Sequence, residues 1–165
     1  MSDKTSTRAS IIPYSDEYAR TVRSWIDSER AAKAVLAGDQ FPPPEDIVSR
    51  WQKQKRMSSY LLLKTDKPIA YAELWSRPAE MGAEIKRLLV DPSRREEGFG
   101  RKMLDLVFDR ATRKPGVVRL TCIIGSVDRE VVACFISAGF ELVAPGVNQL
   151  GLKLEKIVSR QAGTA

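Results

Sequence analysis

Apolar residues recur along this chain at two spacings, and the switch between them marks its elements. Ile85 to Val90 is a short apolar run closed by Asp91 and Pro92. Proline cannot donate to a ladder, so the run reads as a strand that stops there. Beyond it Phe99, Met103, Val107 and Ala111 recur at the helical period, with Leu104 and Phe108 widening the stripe, until Pro115 and Gly116 break the pattern. The same reading along the chain predicts a strand at 9–13, a helix at 15–26 capped by Ser15, and a helix at 28–37 stopped by Gly38. A third helix at 45–55 buries Ile47, Val48 and Trp51. Strands at 59–64 and 68–76 meet in the hairpin signal Thr65-Asp66-Lys67-Pro68, and a strand at 83–90 comes next. After the glycine-loop helix, expected to run to about Lys114, come a strand at 117–124 and a helix at 129–138 ended by Gly139. Two strands, at 140–143 and 147–154, close the chain. The order β-α-α-α-β-β-β-α-β-α-β-β predicts one α/β (α+β) domain over residues 9–155, with helices on both faces of a central sheet. Residues 1–8 and 156–165 read as polar tails, the first of them disordered.

Composition narrows the chemistry more than the fold. The chain contains no histidine, which removes His-based triads, His-ligated zinc and imidazole bases. Acid–base work must come from Glu, Asp, Tyr, Cys, Lys or water. Cys122 and Cys134 form no Cys-x-x-Cys pair and fall inside predicted elements, as reduced thiols of a cytoplasmic protein would. A net charge of +6 favours anionic partners without choosing among them. No run is long enough to span a membrane, and the first residues lack the apolar segment of a signal peptide. A cytoplasmic protein with no membrane partner and no metal is expected.

The loop between strand and helix, Arg95-Glu96-Glu97-Gly98-Phe99-Gly100, carries the sharpest chemical signal. A helix that starts behind a short glycine loop aims unpaired N–H groups and its positive end at one spot, which suits a phosphate. Gly98 and Gly100 allow close approach, and Arg95, Arg101 and Lys102 add positive charge. The run is neither a Walker loop nor a dinucleotide fingerprint. It matches Arg/Gln-x-x-Gly-x-Gly/Ala, and with Leu88-Leu89-Val90-Asp91-Pro92 before it the chain resembles the GNAT superfamily of acyl-CoA-dependent N-acetyltransferases. The resemblance covers roughly residues 9–155 and implies a mostly antiparallel mixed sheet. It also implies acetyl-CoA as cosubstrate, held by Leu88, Leu89, Val90, Arg95, Glu96, Glu97, Gly98, Phe99, Gly100 and Arg101.

A second family pattern, Asn-x-x-Ala-x-x-x-Tyr-x-x-x-Gly-Phe, has its counterpart from Asp128 to Phe140. Gly139-Phe140 matches; Asp128 stands for Asn, Val131 for Ala and Phe135 for Tyr. Asp128 and Phe135 are assigned to the cofactor site by this resemblance. The tyrosine serves many relatives as general acid towards the leaving sulfur, and a phenylalanine has no proton to give. Acetyl transfer also needs an oxyanion donor, for which a backbone N–H near Leu89 or Val90 would serve, and removal of a proton from the amine. Glu84 occupies the offset at which histone-type members carry their catalytic glutamate; it reads equally as a carboxylate at a solvated strand end. Glu73 is the second choice, as a base or as a partner for a cationic substrate. Trp25, Asp27, Glu29, Asp39, Phe41 and Trp51 suit an amine acceptor, although both tryptophans also read as core.

The function expected is acetyl transfer from acetyl-CoA to a primary amine by direct attack in a ternary complex. The acceptor class stays open between a small amine, an aminoglycoside-like polyamine, an amino acid and a protein amine. The alternative is a non-catalytic acyl-CoA-binding or regulatory module. Nucleic acid is disfavoured: the basic run Arg50 to Arg56 lies on an amphipathic helix and lacks an RNP-type platform. A homodimer stays open.

Overall fold

The computed structural model describes residues 8–36, 40–124, 129–143 and 151–158. Its sheet has seven strands in the order β1-β2-β3-β4-β5-β7-β6: β1 Ser10–Pro13, β2 Met57–Lys64, β3 Lys67–Arg77, β4 Gly82–Val90, β5 Arg119–Ile124, β6 Glu141–Val143 and β7 Leu152–Ile157. Every neighbouring pair is antiparallel except β4 and β5. The expected mostly antiparallel mixed sheet is therefore present. The hairpin between β2 and β3 turns at Thr65 and Asp66, both in the left-handed region at φ 50° and 59°, the twist that two-residue hairpin turns require.

Two hydrophobic clusters sandwich the sheet. On one face α4 (Phe99–Thr112) and α5 (Arg129–Ser137) bury Met103, Leu104, Val107, Ala111 and Phe135 against Ala70, Ala72, Leu74, Ile85 and Leu120. On the other, α1 (Ala19–Ser24), α2 (Glu29–Val35) and α3 (Ile47–Trp51) bury Val22, Ala32, Val35, Val48 and Trp51 against Leu61, Tyr71 and Leu89. Trp25 and Trp51 are core residues, 3% and 4% exposed.

Several boundaries differ from the periodic reading, each for a local reason. Ser15 does not cap a helix; its hydroxyl donates to Glu17 at 2.9 Å, and the segment opens as a 3-10 turn at Asp16–Tyr18 before α1. Ser28 does cap α2, accepting from the Ala31 N–H at 3.1 Å. The third helix is only Ile47–Trp51, because residues 52–56 continue as turns that end at Arg56, φ 65°, immediately before β2. The last strand runs past Leu154 to Ile157, and Val158 is buried, 8% exposed. The expected strand segment at 147–150, Gly38 and the tail residues 1–7 and 159–165 lie outside the described residues.

Two irregularities in β4 shape the molecule's central cleft. Ala72 pairs with Leu88 and Leu74 with Ile85, so Glu73 faces two residues, Lys86 and Arg87, across a bulge. Pairing between β4 and β5 covers only residues 82–85 beside 119–122. Past Ile85 and Cys122 the two strands part.

Candidate active site

The parting of β4 and β5 opens beside a cleft of about 620 Å³. Its walls are the end of β4 (Leu88, Leu89, Val90), the loop and first turn of α4 (Arg94, Arg95, Glu96, Gly98, Phe99, Gly100, Arg101), α2 and α5. The predicted strand-end and loop residues, Glu97 apart, thus surround one space, because the chain must reverse from strand to helix there. Asp91 starts the reversal, its carboxylate accepting from the Ser93 N–H at 2.9 Å, and Gly98 completes it at φ 83°. That left-handed position suits glycine, and a Cβ built on Gly98 would meet nothing within 4 Å. With no side chain at the N-cap, the first amides of α4 stay available to a ligand.

Gly100 lines the cleft and also meets a packing requirement. A Cβ there would lie 3.1 Å from the Cys134 sulfur and 3.7 Å from Val90. Its smallness lets α5 press against the start of α4. Glu97 turns away to Arg94 at 2.7 Å and does not line the cleft. Arg95 lies 3.4 Å from Asp27 and is half exposed, tying the loop to the end of α1. Arg94, over the Phe99 ring at 5.1 Å, the α2 cap Ser28 and the α2 residues Arg30 and Ala31 line the cleft without a local signal in the sequence for that role. An α2 wall is a tertiary fact with no local signature. Asp128 and Asp39 lie outside the described residues.

Phe135 does not line the large cleft. It is 3% exposed, packs edge-on against Phe140 at 5.1 Å, and closes a smaller cavity between β4 and β5.

The two candidate carboxylates share the face of the sheet opposite α4 and α5, where neither is solvated. Glu84 is 4% exposed, so the reading of a free strand end does not hold. Arg77 donates to its Oε2 at 2.5 and 3.1 Å, and the Lys86 ammonium stands 3.1 Å from Oε1. Both cations lie over the Trp75 ring, at 4.9 and 4.5 Å, which holds them in place. Glu84 pairs with Thr121 across the last stretch of β4–β5 ladder, one residue before the strands part.

Glu73 is fully buried. The Tyr71 hydroxyl donates to Oε1 at 2.6 Å and Arg87 to Oε2 at 2.6 Å. Arg87 also donates to the Val35 carbonyl at 2.9 Å and stacks over Trp51 at 4.3 Å; Gln52 donates to the Tyr71 oxygen at 2.9 Å. Burial pushes the Glu73 carboxyl above its ordinary value, with Arg87 and Tyr71 pulling it part of the way back. Burial also raises the Tyr71 phenol, the Glu73 charge adding to it. Both Glu73 oxygens are thus committed to a network that sequence spacing does not reveal, since its members sit at 52, 71, 73 and 87.

Among the described residues no helix is long and apolar enough to cross a membrane, and no cluster of His, Cys, Asp or Glu could hold a metal ion. Comparison with solved structures places this geometry among known folds. The chain is similar to the aminoglycoside acetyltransferase AAC(6')-Ib in complex with ribostamycin and coenzyme A, at 15% identity, TM-score 0.76, over 90% of this chain and 93% of that one. It is also similar to spermidine N-acetyltransferase from Vibrio cholerae in complex with CoA and spermine, at 11% identity, TM-score 0.74, over 93% and 96%. A ribosomal alpha-N-protein acetyltransferase in complex with coenzyme A matches at 12% identity, TM-score 0.72, over 92% and 95%. No curated protein matches the chain. The model of the acetyltransferase (GNAT) family matches residues 19–140, most of the fold and all of the cleft-forming loop, and the chain belongs to that family.

Proposed function

We propose that this protein transfers an acetyl group from acetyl-CoA to a primary amine in a ternary complex. The observation that carries the reading is the parting of β4 and β5 beside a cleft of about 620 Å³ that the glycine-capped start of α4 lines. Its residues fit the donor. The open space at Gly98, the first amides of α4, and Arg94, Arg95 and Arg101 suit a pyrophosphate. The β5-side edge of β4 at Leu88, Leu89 and Val90 offers backbone groups to an extended amide-bearing arm. When bound, acetyl-CoA supplies an acyl group activated as a thioester.

The chain's own residues do the rest. A backbone N–H of Leu89 or Val90 faces charge growing on the acyl oxygen. Glu84, beside the parting, takes the amine proton directly or through water; Glu73, wholly enclosed and bonded to Tyr71 and Arg87, anchors Arg87 and the strand bulge instead. Phe135 donates no proton, so the leaving thiolate is protonated by solvent. Structural neighbours in complex with ribostamycin and with spermine support an amine-rich acceptor, and amino acids and protein amines belong to the same panel. A cytoplasmic setting, with Cys122 and Cys134 as free thiols, completes the proposal.

The test is release of CoA thiol from acetyl-CoA across a panel of small amines, aminoglycosides, polyamines, amino acids and peptides. Turnover with at least one of them is expected. Phe135 favours a second reading, an acyl-CoA-binding module without turnover; tight acetyl-CoA binding with no acceptor in the panel accepted would support it.

A further inference from the structure

We infer that the niche between the Trp75 ring and the Glu84 carboxylate is the acceptor's ammonium subsite, held by the chain's own Lys86 ammonium until an acceptor displaces it. The inference deepens the proposed transfer and rests on Glu84 as its base. An aromatic face and a carboxylate together attract a primary ammonium, one through the ring quadrupole and the other through a charge-assisted hydrogen bond. Lys86 shows both partners in place: its ammonium is 3.1 Å from Glu84 Oε1 and 4.5 Å from the Trp75 ring centroid. The indole is itself anchored, its N–H donating to the Lys55 carbonyl at 3.1 Å. The niche thus suits the head group that the reaction must deprotonate, and a lysine demonstrates the fit.

Of the two cations on Glu84, Lys86 is the one that can leave. Arg77 directs two nitrogens at Oε2, at 2.5 and 3.1 Å, stands over Trp75 and lies 3.5 Å from Glu80. Lys86 has a single carboxylate contact, and its side chain is 33% exposed. Arg87 beside it is only 16% exposed, fixed by Glu73, the Val35 carbonyl and Trp51. An ammonium is a compact, hydrated charge on a flexible stem, whereas a guanidinium fork is pre-organised. Swinging Lys86 into water costs one partly exposed ion pair and one cation–π contact, and an incoming alkylammonium makes both again at the same atoms. Oε1 then faces the acceptor nitrogen, while Arg77 keeps Oε2 and the orientation of the carboxylate. The exchange trades one positive charge for another, so the class selected is an unhindered primary alkylamine that arrives protonated. Lys86 does not line the large cleft, so it sets acceptor affinity apart from that of acetyl-CoA.

NMR titration of the intact protein with n-butylammonium chloride, read at the Glu84 side-chain carboxyl carbon against sodium chloride of equal ionic strength, tests the subsite without catalysis. Lys86→Met should bind n-butylammonium about 3- to 30-fold more tightly than wild type, the worth of a partly exposed ion pair and a cation–π contact that the ligand no longer has to replace. Lys86→Arg, which keeps a cation for the niche, should stay near wild type. Trp75→Leu in the Lys86→Met background should lose most of the gain, and Lys86→Gln serves if the methionine variant does not fold. A lysine that only steadies Glu84 would weaken binding when removed. Affinity unchanged or lowered in the Lys86 variants, or a response that sodium chloride reproduces, would therefore overturn the subsite. Acetyl transfer would still stand if the amine panel releases CoA. Tightened binding with no amine in the panel accepted would keep the ammonium subsite and remove the transfer.

Discussion

At the scale of single residues, the two loop glycines separate a conformational requirement from a packing one. Gly98 sits at φ 83° with open space beyond its Cα. Gly98→Val should therefore lose about 1–2 kcal/mol to left-handed strain, keep the fold, and lose acetyl-CoA affinity; denaturant melts and calorimetry check both. Gly100→Ala meets the Cys134 sulfur at 3.1 Å, so its destabilisation, of order 1–3 kcal/mol for overpacking, should shrink in a Cys134→Ala background. Equal losses in both backgrounds would contradict the contact. Glu84→Gln keeps shape but removes the base, and saturating turnover should fall about 100- to 10,000-fold with acetyl-CoA affinity nearly intact. A mutant as fast as wild type, with the same pH profile, would leave deprotonation to water.

At the scale of elements, Arg87 is the joint of the molecule. One side chain links β3 through Glu73, α2 through the Val35 carbonyl and α3 through the Trp51 ring. Replacing Arg87 with Met leaves a fully buried carboxyl with only Tyr71, and breaking such a pair costs about 3–5 kcal/mol. The sign of the pH effect comes from burial. Without Arg87 the folded carboxyl holds its proton well above the ordinary value of 4.5, whereas the unfolded one does not. The folded state then binds more protons above that value, so stability falls as pH rises through the window between the two pKa values. Arg87→Met should thus be destabilised most at pH 8 and recover part of the loss near pH 5; parallel stability profiles for mutant and wild type would contradict the pairing. Periodicity found α4 nearly to the residue because it buries a regular stripe, and found β4 because Asp91 and Pro92 close its run. It overextended α3, whose stripe at Ile47, Val48 and Trp51 was correct while residues 52–56 turn away from the helix. It could not find the bulge at Lys86 and Arg87, which exists only in the register with β3.

At the scale of the whole molecule, three helices on one sheet face and two on the other leave a sheet whose middle is unzipped. The cleft-forming loop was legible because glycines, arginines and a helix start are local in sequence. The α2 wall, the second cavity and the ion pairs of Glu73 and Glu84 were not, since each joins segments far apart in the chain. In particular, a glutamate at the start of a strand gave no sign that Arg77 and Lys86 would enclose it, and this changes Glu84 from a solvated carboxylate into a buried, oriented one. The central claim is that the parted strands and the start of α4 hold the acyl donor. Amide hydrogen exchange with and without acetyl-CoA tests it most directly. Slower exchange at residues 88–90 and 95–101, with β1 and β2 unchanged, is the expected result; acetyl-CoA binding that leaves those amides unprotected, or protects another face of the sheet, would contradict it.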